Sequence, residues 1–155
     1  MVALSAIGDK QAAATEDTAE AIEQLLDYVA TYPNDVILFR KSDMILATHA
    51  DAGFLNESRA RSRAGAHIFL SENEPKPKLN GPILTISQII KIVMASAAEA
   101  EIAALFITAK KIIPLRNTLV EMGWPQPLTP IQTDNSTEVD FTNKTIFKKQ
   151  PNHQT

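Results

Sequence analysis

One long helical stripe, set between two groups of short apolar runs, limits what this chain can fold into. Ile102, Leu105, Phe106, Ala109 and Ile113 recur at helical spacing, the pattern of a helix with one face turned to a core. Ser96-Ala97-Ala98-Glu99 opens the stripe as a capping box, in which the serine hydroxyl and the glutamate carboxylate satisfy orphan amides reciprocally. Pro114 removes an amide donor and is expected to kink or divide the helix, and Gly123 is placed to cap its C-terminus. Before the helix, residues 36–40, 44–48, 64–70 and 83–86 are apolar runs bounded by polar turns and read as strands. After it, Pro125, Pro127 and Pro130 lead into a short strand over 131–133, and 136–144 reads as a final short helix. Strands, a long helix, another strand and a helix indicate an α/β domain, a mixed sheet with helices packed on it.

The rest of the chain adds limits rather than elements. Its 155 residues, 45% of them hydrophobic, fit one domain with a real core. Residues 1–18 are rich in Ala, Thr and Asp without sustained periodicity and read as a loose leader. Ala21, Leu25, Leu26 and Val29 suggest a short helix that ends near Tyr32-Pro33. The chain has no cysteine, which excludes disulfides and thiolate zinc sites. His49, His67 and His153 lack ligand-pair spacing and read as ordinary polar residues. No apolar run reaches the length of a membrane span, and the first eight residues are too short and uncharged for a secretory signal. An intracellular protein, cytoplasmic or nuclear, is the expectation. Up to Asp35 seven acids stand against Lys10 alone, so a net charge of −3 hides a body of about +3. A mildly basic body is compatible with a phosphate-backbone partner.

Thr48-His49-Ala50-Asp51-Ala52 and Ile131-Gln132-Thr133-Asp134-Asn135 each place an aspartate at the end of an apolar run, and the helix between them carries Glu99 and Glu101. Strand-end aspartates commonly cap turns. Two of them with a helix glutamate between also suit a carboxylate cluster for hard divalent cations such as Mg²⁺. Two helical steps rotate about 200°, so Glu99 and Glu101 cannot both face one site. The capping box gives Glu99 a structural task and leaves Glu101 as the better ligand. Arg59, Arg61 and Arg63 share one face if extended, and with Lys110 and Lys111 they either meet phosphates or are solvated charges.

Ser42-Asp43-Met44, His49-Ala50-Asp51-Ala52, Arg59-Ala60-Arg61-Ser62-Arg63-Ala64-Gly65, Ser96-Ala97-Ala98-Glu99-Ala100-Glu101 and Gln132-Thr133-Asp134-Asn135-Ser136-Thr137 together resemble the ribonuclease H domain of copia-class LTR retrotransposon polyproteins, over residues 25–146. Leu26-Asp27-Tyr28-Val29-Ala30-Thr31-Tyr32-Pro33 is similar to the segment that joins the reverse transcriptase to that domain. The resemblance implies a ribonuclease H-like mixed sheet, with three antiparallel strands and then a strand after the main helix. It implies hydrolysis of the RNA strand of RNA–DNA hybrids, with Asp51, Glu101 and Asp134 holding two Mg²⁺ or Mn²⁺ ions. The chain then divides into a leader over 1–18, a helix and linker over 19–34, the domain over 35–147 and a tail over 148–155. The family's last strand, last helix and fourth acidic ligand have no counterpart before Thr155, so a truncated relic or a polyprotein fragment with impaired cleavage is expected. Glu138 and Asp140 are the only acids beyond Asp134, and they read as a solvated helix face.

Overall fold

A computed structural model describes residues 2–74 and 76–133. Helices α1 (Val2–Gly8) and α2 (Glu16–Thr31) precede strands β1 (Ile45–Glu57), β2 (Arg61–Ser71) and β3 (Pro82–Ile89). Helix α3 (Ala97–Glu121) and strand β4 (Ile131–Gln132) follow. The four strands form one mixed sheet in the order β3-β2-β1-β4. β2 is antiparallel to both β1 and β3, and β4 runs parallel to β1. A parallel neighbour needs a long crossover, which here contains α3.

The even-numbered positions of β1 and β2 build the core. Leu46 and Ile68 pack with Ile86 of β3 against Ile112 and Leu119 of α3. Nearer the start of the helix, Ala64 and Ala104 close against Ile90, with Ala52 beside them. Small residues at that end let the helix lie close to β1 and β2. Thr48 and Thr108 are also fully buried, and among the described residues neither hydroxyl has a hydrogen-bond partner.

The ends of α3 follow from its sequence. Ser96 Oγ accepts from the Glu99 amide at 3.2 Å. The Glu99 carboxylate reaches back to the Ala95 amide at 2.9 Å, one residue earlier than a strict capping box requires. Gly123, at φ +90°, completes a Schellman ending, with Gly123 N–H on Val120 O and Trp124 N–H on Leu119 O. Pro114 does not divide the helix, which runs unbroken to Glu121. Its exposed position leaves the ring in solvent, while Ile112 and Leu119 hold the turns on either side to the sheet.

Two further expectations change. Residues 1–18 are not a loose leader: they contain α1, a 3₁₀ turn and the start of α2. Residues 36–40 form no strand. Asn80 takes the place of a strand partner there, its side chain accepting from Arg40 N–H at 2.7 Å and donating to Arg40 O at 3.0 Å. The helix expected over 136–144 lies outside the described residues.

Candidate functional site

β1 is longer than its apolar run, so Asp51 lies within the strand rather than at its end. Side chains alternate across a strand, which puts His49 and Asp51 on the face opposite α3. On β2 their cross-strand partners are His67 and Gly65. These four residues, with Ala50, Ala66, Gln132 and Thr133, line an open groove of about 510 Å³. Its floor is β1 and β2, and one wall is the end of β4, which pairs with β1 at Thr48 and His49.

Asp51 is exposed, and its Oδ1 accepts from the Ala52 amide at 2.8 Å. Glu101 is 8% exposed and lies on the inner side of α3, one turn before Ala104, which packs beside Ala52 and Ala64. Asp51 and Glu101 therefore lie on opposite faces of the sheet, Asp51 at the groove and Glu101 between α3 and the strands. Asp134 follows Thr133 directly in sequence and lies outside the described residues, as do Glu138 and Asp140. Among the described residues no three His, Cys, Asp or Glu side chains cluster to hold a metal ion. The oxygen donors at the groove are of the type that hard divalent cations take.

The basic residues do not form one face. Arg63 is 3% exposed on β2, and its guanidinium donates to Glu57 and Asp9, the latter at 2.7 Å. Those hydrogen bonds and charges outweigh burial and hold it firmly protonated. It also donates to Ser5 Oγ at 2.7 Å, which ties α1 to the sheet. Arg61 instead turns back to Ser58 O at 3.2 Å. Arg59 sits in the β1–β2 turn at φ +62°, and Ala60 beside it at +51°, both left-handed. Lys110 and Lys111 are exposed on α3, with Lys110 Nζ 5.5 Å from the Phe106 ring centre. The expectation of a shared arginine face fails because Arg63 is an internal clamp.

His49 and His67 are the groove residues that spacing alone missed. Burial, and then the neighbouring His67, lower the pKa of His49 below its ordinary value. The signal was their equivalent placement on the two arms of a hairpin. It was masked by a bulge in which Phe54, Leu55 and Asn56 of β1 face the single residue Ser62.

Over 134 residues, 86% of this chain, the sequence is 26% identical to the retrovirus-related Pol polyprotein from transposon TNT 1-94 of Nicotiana tabacum. The likeness supports a retrotransposon origin. The match spans 10% of that relative's length. No family model and no solved structure matches the chain. Among the described residues no helix is long and apolar enough to cross a membrane.

Proposed function

We propose that this chain is a retrotransposon-derived, ribonuclease H-like domain that hydrolyses the RNA strand of RNA–DNA hybrids. The observation that carries the reading is topological: after three antiparallel strands and a long helix, the chain returns as β4, parallel to β1, beside the groove that holds Asp51. The acids of this reading are Asp51, Glu101, which sits one turn into that helix on the other face of the sheet and must reach past β1 to share an ion, and Asp134, next in sequence after the groove residue Thr133. Asp51, Glu101 and Asp134 would hold two Mg²⁺ or Mn²⁺ ions. When bound, such a pair supplies an activated water and charge stabilisation at the leaving 3′ oxygen. The protein's part is to hold the acids on a central strand and a packed helix, which fixes them without cost at the moment of reaction. The open groove leaves the Asp51 carboxylate accessible to a backbone, and a ribose 2′-hydroxyl would distinguish the RNA strand. The likeness to a Pol polyprotein fits a domain made within a longer chain that also carries a reverse transcriptase.

The test is cleavage of a hybrid labelled on its RNA strand, with Mg²⁺ or Mn²⁺. Single-stranded RNA and duplex DNA serve as controls. Cleavage confined to the hybrid and reduced at least about a hundredfold by Asp51→Asn is expected. Full activity in that variant refutes the assignment. Hybrid binding in EDTA without cleavage in either metal favours a second reading, a non-catalytic nucleic-acid-binding domain. The exposed Arg59, Lys110 and Lys111 are the observation behind it.

A further inference from the structure

His49 and His67 stand directly opposite each other on β1 and β2 and line the same groove. The proposed hydrolysis uses neither of them. His67 Nε2 lies 2.9 Å from Asn80 O. A carbonyl oxygen only accepts, so Nε2 carries the proton and Nδ1 keeps the ring's lone pair. Histidines that bind a metal through one nitrogen characteristically donate from the other to a carbonyl or carboxylate.

The acceptor is itself fixed. Asn80 Nδ2 donates to Leu70 O at 2.8 Å and to Arg40 O at 3.0 Å, and Oδ1 accepts from the Arg40 and Gly81 amides. Both imidazoles also rest against the buried Phe69, with ring centres 5.5 Å away for His49 and 5.3 Å for His67. Directly opposed side chains have Cβ atoms about 4.5–5.5 Å apart, a gap that two imidazoles bridge through one ion at about 2.0–2.1 Å from each nitrogen.

Charge at the groove is near balance and leaves the choice of ligand to the imidazoles, since Arg40 beside His67 keeps its positive charge against Asp51. Asp51 lies two residues from His49 on the same face. Of the nearby guanidiniums, Arg63 is committed to Glu57 and Asp9, and Arg40 donates to Leu79 O at 3.3 Å. Imidazole nitrogen suits Zn²⁺, Ni²⁺ and Cu²⁺, whereas Mg²⁺ and Ca²⁺ prefer oxygen. We infer that the cross-strand pair His49–His67 is a binding site for a borderline divalent cation of the Zn²⁺ class, with two protein ligands and its other positions open to water. The inference does not rest on the ribonuclease reading, because it uses nitrogen ligands and needs neither Glu101 nor Asp134.

Thermal unfolding of the full chain without a polyhistidine tag tests it, with ZnCl₂ titrated alone. A ligand that binds only the folded state raises the melting temperature. A rise of roughly 2–4 °C is expected at saturation. The rise should vanish in His49→Gln, persist in Asp51→Asn and persist in His153→Gln. No rise in the unmodified chain overturns the proposal, and so does a rise that survives His49→Gln. Should that variant fail to fold, the imidazole NMR signals of the unmodified chain decide. Zn²⁺ must perturb those of His49 and His67; perturbation of His153 alone overturns the site. Loss of hybrid cleavage in Asp51→Asn with an intact Zn²⁺ response would separate the two sites.

Discussion

The two faces of the sheet are built on different principles. Under α3, Leu46, Ile68 and Ile86 meet Ile112 and Leu119, and Thr48 and Thr108 are buried on the same face. On the other face, Phe69 is fully buried, Arg63 is clamped by two acids, and His49, Asp51 and His67 line an open groove. The α3 face is held by area, which is nondirectional and tolerates exchange of similar shapes. The groove face is held by directed polar contacts, which leave fixed side chains beside solvent. That division makes one face of the sheet a packed support and leaves the other to display polar side chains at an open groove.

The sharpest way to break this comparison is Arg63→Ala. If the groove face were ordinary surface, the change would cost what an exposed ion pair does, about 0–1 kcal/mol. As a buried clamp, Arg63 should cost about 3 kcal/mol or more by urea unfolding, since Glu57 and Asp9 lose their partner. Arg63→Met, which keeps the stem's packing, should recover part of the loss.

Asp51→Asn should do the reverse. Its exposed carboxylate supports no neighbouring element, so stability should move by less than about 0.5 kcal/mol while hybrid cleavage falls at least about a hundredfold. A large stability loss with no change in cleavage would make Asp51 a structural residue. Within the α3 face, Thr108→Val removes a buried hydroxyl with no partner and keeps the side chain's shape. It should raise stability by up to about 1 kcal/mol in the same unfolding experiment, and a loss would reveal a partner for that hydroxyl.

The contrast also explains what could be read in advance. The α3 face was legible, because area burial writes itself as periodicity. The stripe through Ile102 and Ile113, the Ser96 cap and Gly123 located α3, and the alternation in 64–70 located β2. The groove face was not, because its contacts join residues far apart in sequence: Arg63 to Asp9, His67 to Asn80, and Asn80 to Arg40. Arg63 thus read as one of three surface cations, and residues 36–40 read as a strand although the backbone of Arg40 pairs with an asparagine side chain and not with a strand. Asp51 stood out by its motif, but its face of the sheet required the register with Gly65. Bulge geometry hid the histidine pair for the same reason.

The smallest expected effect is a pH dependence that belongs to the groove face alone. His49 is held below its ordinary value near 6.5, first by burial and then by the neighbouring His67. Above the unfolded value both states are neutral at this ring, and it contributes nothing. As pH falls through about 6.5 the unfolded chain takes up the proton first, so stability declines until the folded value is passed. The charged groups around the ring are Asp51 on its own strand, His67 opposite and Arg40 on the segment beyond. Asp51 opposes the other two, and His49 is itself exposed, so the slope should be shallow. Melting temperatures from about pH 7 to about pH 5 should therefore fall slightly more in the unmodified chain than in His49→Gln. Superimposable profiles would mean that His49 titrates as a free surface histidine, and that the groove face exerts no hold on the side chains it displays.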